Sequence, residues 1–121
     1  MPGSAGSLLA GGVSLLAPEE TVFKAMLDGW EVQQRSRMLV DTTIKQRVFA
    51  VRRFHRFANE YPWGWTPADV EEWTSELVGD GVAHSSVRYY QMAVSLFCGY
   101  VTDPRYQWVE LCEQRFGSHP V

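Results

Sequence analysis

The sequence is short of the features that mark metal-binding, disulfide-rich and membrane proteins. Its 121 residues include two cysteines, Cys98 and Cys112, which form no C-x-x-C motif and have no histidine spaced to join them at a metal. Its apolar runs are a few residues long, so no segment is expected to cross a bilayer. We expect a cytoplasmic protein without metal or other cofactor, although the two cysteines could still pair in one disulfide.

Signatures of catalysis are also missing. The sequence has no glycine-rich phosphate loop, no pair of carboxylates placed for acid–base work and no Ser–His–Asp arrangement. The tyrosines fall within the helical pattern described below, and we interpret them as core or groove residues rather than nucleophiles: Tyr61, Tyr89, Tyr90, Tyr100 and Tyr106. We therefore expect that this chain is not an enzyme. A weaker alternative is a small enzyme that uses Cys98 or Cys112.

What the sequence does contain indicates one small helical domain. Hydrophobic residues make up 45% and charged residues 21% of the chain, which is typical of a globular protein long enough to close a core. Alternation of apolar and polar residues, the pattern of a strand, never extends beyond a few positions. Apolar residues recur instead at steps of three and four, so we predict an all-α fold, a compact bundle of four to five helices.

Five helices are predicted within a domain that covers residues 19–117. They span residues 19–39, 42–60, 66–79, 85–101 and 105–116. The third has the clearest start, because Thr66 can cap a helix that continues with Pro67 and reaches Asp69 at its third position. The fourth has apolar residues on two stripes, which predicts a central helix contacted from two sides.

The two ends of the chain are expected to lie outside this domain. Residues 1–18 are rich in Gly, Ser, Ala and Leu and are expected to form a flexible leader. A secretory signal is disfavoured there, because the segment has no basic start and Gly11-Gly12 interrupts its apolar centre. Residues 118–121 are expected to begin a linker.

Charge is distributed unevenly along the chain. The whole chain carries a net charge of −3, whereas residues 35–59 carry +6. On an ideal helix Lys45, Arg52 and Arg56 fall within roughly 40° of one another, and Gln46 and Arg53 flank this stripe. A basic stripe favours contact with phosphates. The alternative is a solvated face whose arginines pair with the acidic third helix.

The fourth predicted helix offers a second polar surface. Residues 81–102 contain no acid. The backbone N–H groups at the start of a helix can bind a phosphate, and arginine and glutamine can read guanine and adenine edges. The alternative is that a serine only caps the helix and that the arginine is an ordinary surface residue. The candidate DNA contacts on this helix are Ser85, Ser86, Arg88, Gln91 and Ser95.

Three runs of sequence follow one another in an order that matches a known domain. These are TTI…R…VRRF…F over residues 42–57, TPADV…W…L over residues 66–77 and SSVRYY…VSLFCGY over residues 85–100. Together they resemble the core-binding domain of tyrosine recombinases, the phage integrases. The segments at residues 33–37 and 103–106 are similar to the actinobacterial branch of that family.

The resemblance implies a SAM-like four-helix bundle that binds double-stranded DNA. In that family the domain clamps one face of a recombination half-site beside further recombinase protomers, and a separate C-terminal domain, which we expect to be absent from this chain, holds the catalytic residues. The isolated domain is expected to be monomeric. By position, the DNA contacts implied on the second and fourth helices are the basic stripe together with Thr42, Thr43, Ser86, Arg88 and Tyr89.

A helical protein-interaction module that binds no nucleic acid is the alternative function. The chain has five tryptophans, and exposed tryptophans suit a protein interface. We predict that Trp30 and Trp73 pack between helices. Trp63 and Trp65 flank Gly64 in a predicted turn, and their position remains open between packing and exposure.

Overall fold

A computed structural model describes residues 1–11 and 17–120 of the chain. Within these residues the secondary structure is helical, without strands, which confirms the predicted all-α bundle. The helices α2–α6 correspond to the five predicted ones, and α1 is additional. The elements are α1 (Gly6–Gly11), α2 (Pro18–Ser36), α3 (Asp41–Ala58), a 3-10 turn (Pro62–Gly64), α4 (Pro67–Gly79), α5 (His84–Thr102), a second 3-10 turn (Pro104–Tyr106) and α6 (Trp108–Phe116).

Local sequence signals explain most of the helix ends. The hydroxyl of Thr66 accepts a hydrogen bond from the backbone N–H of Asp69, whose carboxylate in turn accepts one from the N–H of Thr66, so the predicted cap of α4 is a full capping box. The first predicted helix is too long, because α2 ends at Ser36 rather than at residue 39. Met38 is in the left-handed conformation (φ 66°), and the N–H of Leu39 turns back to the carbonyl of Gln34.

The core lies around α5, which packs against α2, α3, α4 and α6. Phe97 of α5 is fully buried and meets Trp30 of α2 edge to face, with ring centroids 5.2 Å apart. Phe54 of α3 meets Trp73 of α4 at 5.1 Å. The predicted central position of this helix is therefore confirmed, as is the packing of Trp30 and Trp73.

The two tryptophans whose position was open also take part in packing. Trp63 stacks on Phe116 of α6 at 4.1 Å, with the rings nearly parallel. Trp65 packs against Phe54 at 4.7 Å and donates its indole N–H to the carbonyl of Glu60 at 2.7 Å. Both side chains are partly buried, so neither is the exposed tryptophan that would favour the protein-interaction alternative.

Part of the segment expected to form a flexible leader lies against the bundle. Ala5 is fully buried, and its N–H donates to the carbonyl of Tyr106 at 2.8 Å. The carbonyl of Gly3 accepts hydrogen bonds from the hydroxyl of Tyr100 and from the indole N–H of Trp108. Residues 12–16 of the expected leader lie outside the described residues.

The two cysteines are free thiols, so the disulfide considered above is absent. Burial raises the pKa of Cys98 to about 11 and that of Cys112 to about 12. Because the thiolate is the nucleophilic form, neither residue is prepared for thiol chemistry at neutral pH. In the part of the chain that the structure describes, no three metal-ligating side chains cluster, and no helix has the length and apolar character of a membrane span.

Candidate nucleic-acid interface

A groove of about 580 Å³ lies between α3 and the first half of α5. We call it the α3–α5 groove. It combines side chains from the two helices on which the sequence places its candidate DNA contacts, and most of its lining residues are among those candidates. The lining residues are Lys45, Gln46, Phe49, Ser85, Ser86, Tyr89 and Tyr90.

Burial of the opposite helix faces turns these side chains toward the groove. On α3 the apolar residues Ile44, Val51 and Phe54 are buried, so the positions between them face outward. The hydroxyl of Tyr89 donates to the side-chain oxygen of Gln46 across the groove at 3.5 Å. This long hydrogen bond joins two helices at residues that are 43 positions apart in the sequence.

The start of α5 forms one end of the groove. The helix begins at His84, and the N-cap position is taken by Ala83, whose side chain makes no capping hydrogen bond. Ser85 and Ser86 are therefore inside the first turn, and the interpretation of either as the N-cap is wrong. Because the alanine at the N-cap has no polar side chain, the N–H groups that precede the first backbone hydrogen bond of α5, from Val87 to Ala83, can donate to an acceptor from outside the helix.

The basic side chains of α3 divide into two groups. Arg53 donates to the hydroxyl of Tyr90 at 3.3 Å and lies over its ring at 5.2 Å, which places this cation beside the groove. Arg52 leans toward α2 instead, where it lies 4.0 Å from the carboxylate of Glu20 and 5.8 Å from the ring centroid of Phe23.

The remaining cations of this surface are not neutralised by the acidic helix α4. Lys45, Arg56 and Arg88 are exposed and make no ion pair with any described residue. Among the described residues, Arg52 is the one arginine of α3 that forms an ion pair, and its partner, Glu20, lies on α2. The alternative in which the stripe pairs with the third predicted helix is thus not the arrangement observed.

Some of the predicted site residues lie away from the groove. The amide of Gln91 donates to the hydroxyl of Thr74 at 2.9 Å, so this side chain joins α5 to α4. Ser95 lines a second, separate pocket near the end of α5. Thr42 and Thr43 lie in the first turn of α3, exposed and half-buried respectively, and do not line the groove.

Two aromatic residues complete the groove and were not among the predicted contacts. Phe49 is 53% exposed and lies on the same side of α3 as the exposed residues Lys45 and Gln46. Helical periodicity places Phe49 beside the basic stripe of α3, although the residue was not counted among the DNA contacts. Tyr90 could not be recognised in this way, because the sequence places it on an apolar stripe, whereas in the structure it lines the groove and accepts a hydrogen bond from Arg53.

No family model, curated protein or solved structure matches this chain.

Proposed function

We propose that the chain is a DNA-binding domain that contacts duplex DNA through the α3–α5 groove and the cations beside it. One observation carries the proposal. The lysine and glutamine of one helix and the serines and tyrosine of another, selected from charge pattern and family resemblance, line a single groove. If these residues were only solvated surface, nothing would require those on α3 and those on α5 to line the same groove.

The charges of this surface suit a polyanion. Lys45, Arg53, Arg56 and Arg88 lie on the two helices, no acid among the described residues lines the groove, and α5 adds a first turn whose N-cap residue makes no side-chain hydrogen bond. Each cation that neutralises a phosphate releases a condensed counterion, so three to four contacts correspond to a slope of about −3 to −4 in log K against log salt. Residues 35–59 carry +6 of a chain total of −3, so the remaining residues carry −9 and are repelled by DNA.

The experiment is a fluorescence-anisotropy titration of a labelled duplex at several salt concentrations. The test variant is Lys45→Gln with Arg88→Gln, and the matched control is Lys24→Gln with Arg35→Gln. Both remove two positive charges, but the control residues pair with Asp28 and Asp41 outside the groove. We expect the test variant to lose about two units of salt slope and the control to keep the slope of the parent.

Two results would contradict this proposal. One is the absence of binding by the parent protein at about 50 mM salt, where phosphate contacts are strongest. The other is an equal loss in both variants, because that would reduce the effect to net charge.

The family resemblance extends the proposal to the class of DNA. A core-binding domain of a tyrosine recombinase would prefer one face of a recombination half-site over random duplex. Selection from a pool of randomised duplexes tests this extension, and we expect an enriched consensus sequence. A pool that remains random after repeated selection would restrict the function to DNA binding without sequence preference.

Docking of a partner protein in the same groove is the second candidate, and the exposure of Phe49 favours it. Burial of an aromatic anchor stabilises protein complexes strongly, whereas phosphate contacts do not require one. Phe49→Ala separates the two functions. If the groove binds DNA, Phe49→Ala should change the affinity for duplex by less than the double variant Lys45→Gln with Arg88→Gln does. If the protein binds no duplex at low salt, partner docking becomes the better proposal.

A further inference from the structure

A second pocket, of about 320 Å³, lies between the end of α2, the loop that follows it and the second half of α5. We call it the α2–α5 pocket. It is separate from the α3–α5 groove, with which it shares no lining residue. The residues that matter for its chemistry are Gln34, Arg37, Arg47, Ser95 and Asp103.

Two hydrogen-bond donors of this pocket have no acceptor. Gln34 is 2% exposed, and its amide nitrogen Nε2 makes no hydrogen bond to any described residue. The buried Nε of Arg47 is unpartnered in the same way. A buried donor without an acceptor is rare in folded proteins, and here two such donors belong to residues that line one pocket.

The orientation of the Gln34 amide is set by its neighbour. A terminal nitrogen of Arg47 donates to the side-chain oxygen of Gln34 at 3.3 Å. Turning the amide over would place its N–H₂ group against the guanidinium, where donor would face donor. Nε2 is therefore held as a donor by the same arginine whose Nε is unpartnered.

The charge of the pocket favours an anion over a neutral acceptor. Arg47 and Arg37 contribute two positive charges. The single acid of the lining is Asp103, which accepts from the side chain of Arg105 at 2.7 Å, and this hydrogen bond lowers the pKa of Asp103. Asp103 is thus already paired by a third arginine.

The end of α2 opposes an anion only weakly. A helix C-terminus carries partial negative charge on its free carbonyls. Here the carbonyl of Gln33 accepts from the hydroxyl of Ser36, and the carbonyl of Gln34 accepts from the N–H groups of Arg37 and Leu39. The last turn of α2 is therefore satisfied internally, and the two guanidinium groups dominate.

We propose that the α2–α5 pocket binds a small oxyanion through the amide of Gln34 and the guanidinium groups of Arg47 and Arg37. A volume of about 320 Å³ is at the low end for small-molecule sites, which suits a phosphate group with little attached to it. The oxyanion has two possible sources, a free phosphate compound or a backbone phosphate of DNA. Binding of free phosphate does not rest on the proposed function and can fail or succeed without it.

The test is an NMR titration of the full chain with inorganic phosphate, against sodium chloride at equal ionic strength. We expect saturable shifts that include the side-chain amide signals of Gln34. Arg37→Gln and Gln34→Met should each weaken phosphate binding about tenfold, because each removes one donor to an anion. Lys24→Gln is the matched control, an exposed cation outside both the pocket and the α3–α5 groove, and should change the affinity less than about twofold.

Two outcomes overturn the inference: shifts no larger than those with chloride, or phosphate affinity that Arg37→Gln and Gln34→Met leave unchanged. If Gln34→Met fails to fold, Arg37→Gln decides alone, because Arg37 is exposed. Repeating the duplex titration with Arg37→Gln identifies the source. An equal loss of DNA and phosphate affinity assigns the pocket to a backbone phosphate, and a loss of phosphate affinity alone assigns it to a free phosphate compound.

Discussion

Replacing Gly29 by alanine should destabilise the protein, although helix propensity alone predicts the opposite. Gly29 lies in the interior of α2, where alanine is favoured over glycine by up to about 1 kcal/mol. In the structure a Cβ added to Gly29 would lie 2.6 Å from the carbonyl oxygen of Gly3 and would also collide with the hydroxyl of Tyr100. The N-terminal segment must therefore move away from α2.

The interactions that this movement removes can be summed approximately. The carbonyl of Gly3 accepts from Tyr100 and Trp108, and each such hydrogen bond contributes about 1 kcal/mol net. Exposure of the Ala5 methyl group costs about 0.8 kcal/mol more. Trp108 keeps its second acceptor, the hydroxyl of Tyr100 at 2.8 Å. After the gain in helix propensity, the expected loss is about 1–2 kcal/mol, or roughly 4–8 °C in Tm.

The assay is thermal and urea denaturation of Gly29→Ala beside Gly99→Ala. Gly99 also lies within a helix, but a Cβ added there has no atom within 4 Å. Gly99→Ala should therefore stabilise the protein by up to about 1 kcal/mol. In a chain without residues 1–11, the loss from Gly29→Ala should become smaller but should not vanish, because the contact with Gly3 is gone while the collision with the hydroxyl of Tyr100 remains. If Gly29→Ala raised Tm in the full chain as Gly99→Ala does, the N-terminal segment would not be packed against α2.

Three further outcomes are expected. Phe97→Ala and Trp73→Ala should each cost about 3–5 kcal/mol in urea denaturation, because both side chains are buried among aromatic rings, and a parental midpoint would refute that packing. If Arg88 contacts a base, Arg88→Ala should reduce the binding free energy, measured by anisotropy titration, by about 1–3 kcal/mol on a selected duplex and by less on random duplex. Equal losses of affinity on both duplexes would indicate a phosphate contact. No loss on either would remove Arg88 from the interface. Cys98 should react with a thiol reagent at pH 8 far more slowly in the folded protein than in urea, because burial raises its pKa to about 11 and so depletes the thiolate. Equal reaction rates in the two conditions would contradict the burial of Cys98.

Prediction of the helices from the sequence succeeded where the signals are local. The cap at Thr66, the apolar steps of α3 and the two stripes of α5 depend on residues within a few positions of one another, and the structure has these helices within a few residues of the predicted bounds. The last predicted helix begins later than expected, at Trp108. Asp103 stabilises a 3-10 turn by accepting from the N–H of Arg105, and Gln107 then adopts a left-handed conformation.

The candidate site could be predicted only as two separate surfaces. Periodicity shows which residues of a helix share a face, and it identified Lys45 on one helix, whereas Tyr89 on another came from the family resemblance. It carries no information on which faces meet, because that depends on how distant helices pack. Arg52 and Gln91 illustrate the limit, since each was assigned to a DNA-facing surface and each contacts another helix, through Glu20 and Thr74.

The sequence by itself determined the class of fold, the helices and the sign of charge on each helix, because turns, caps and periodicity are set by near neighbours along the chain. The tertiary structure alone decided that α3 and α5 enclose a groove, that Gln34 and Arg47 each have one buried, unpartnered donor atom, and that Gly29 must remain without a side chain. These features depend on contacts between residues far apart in the sequence. Such contacts follow from close packing of the whole core, which no local pattern records.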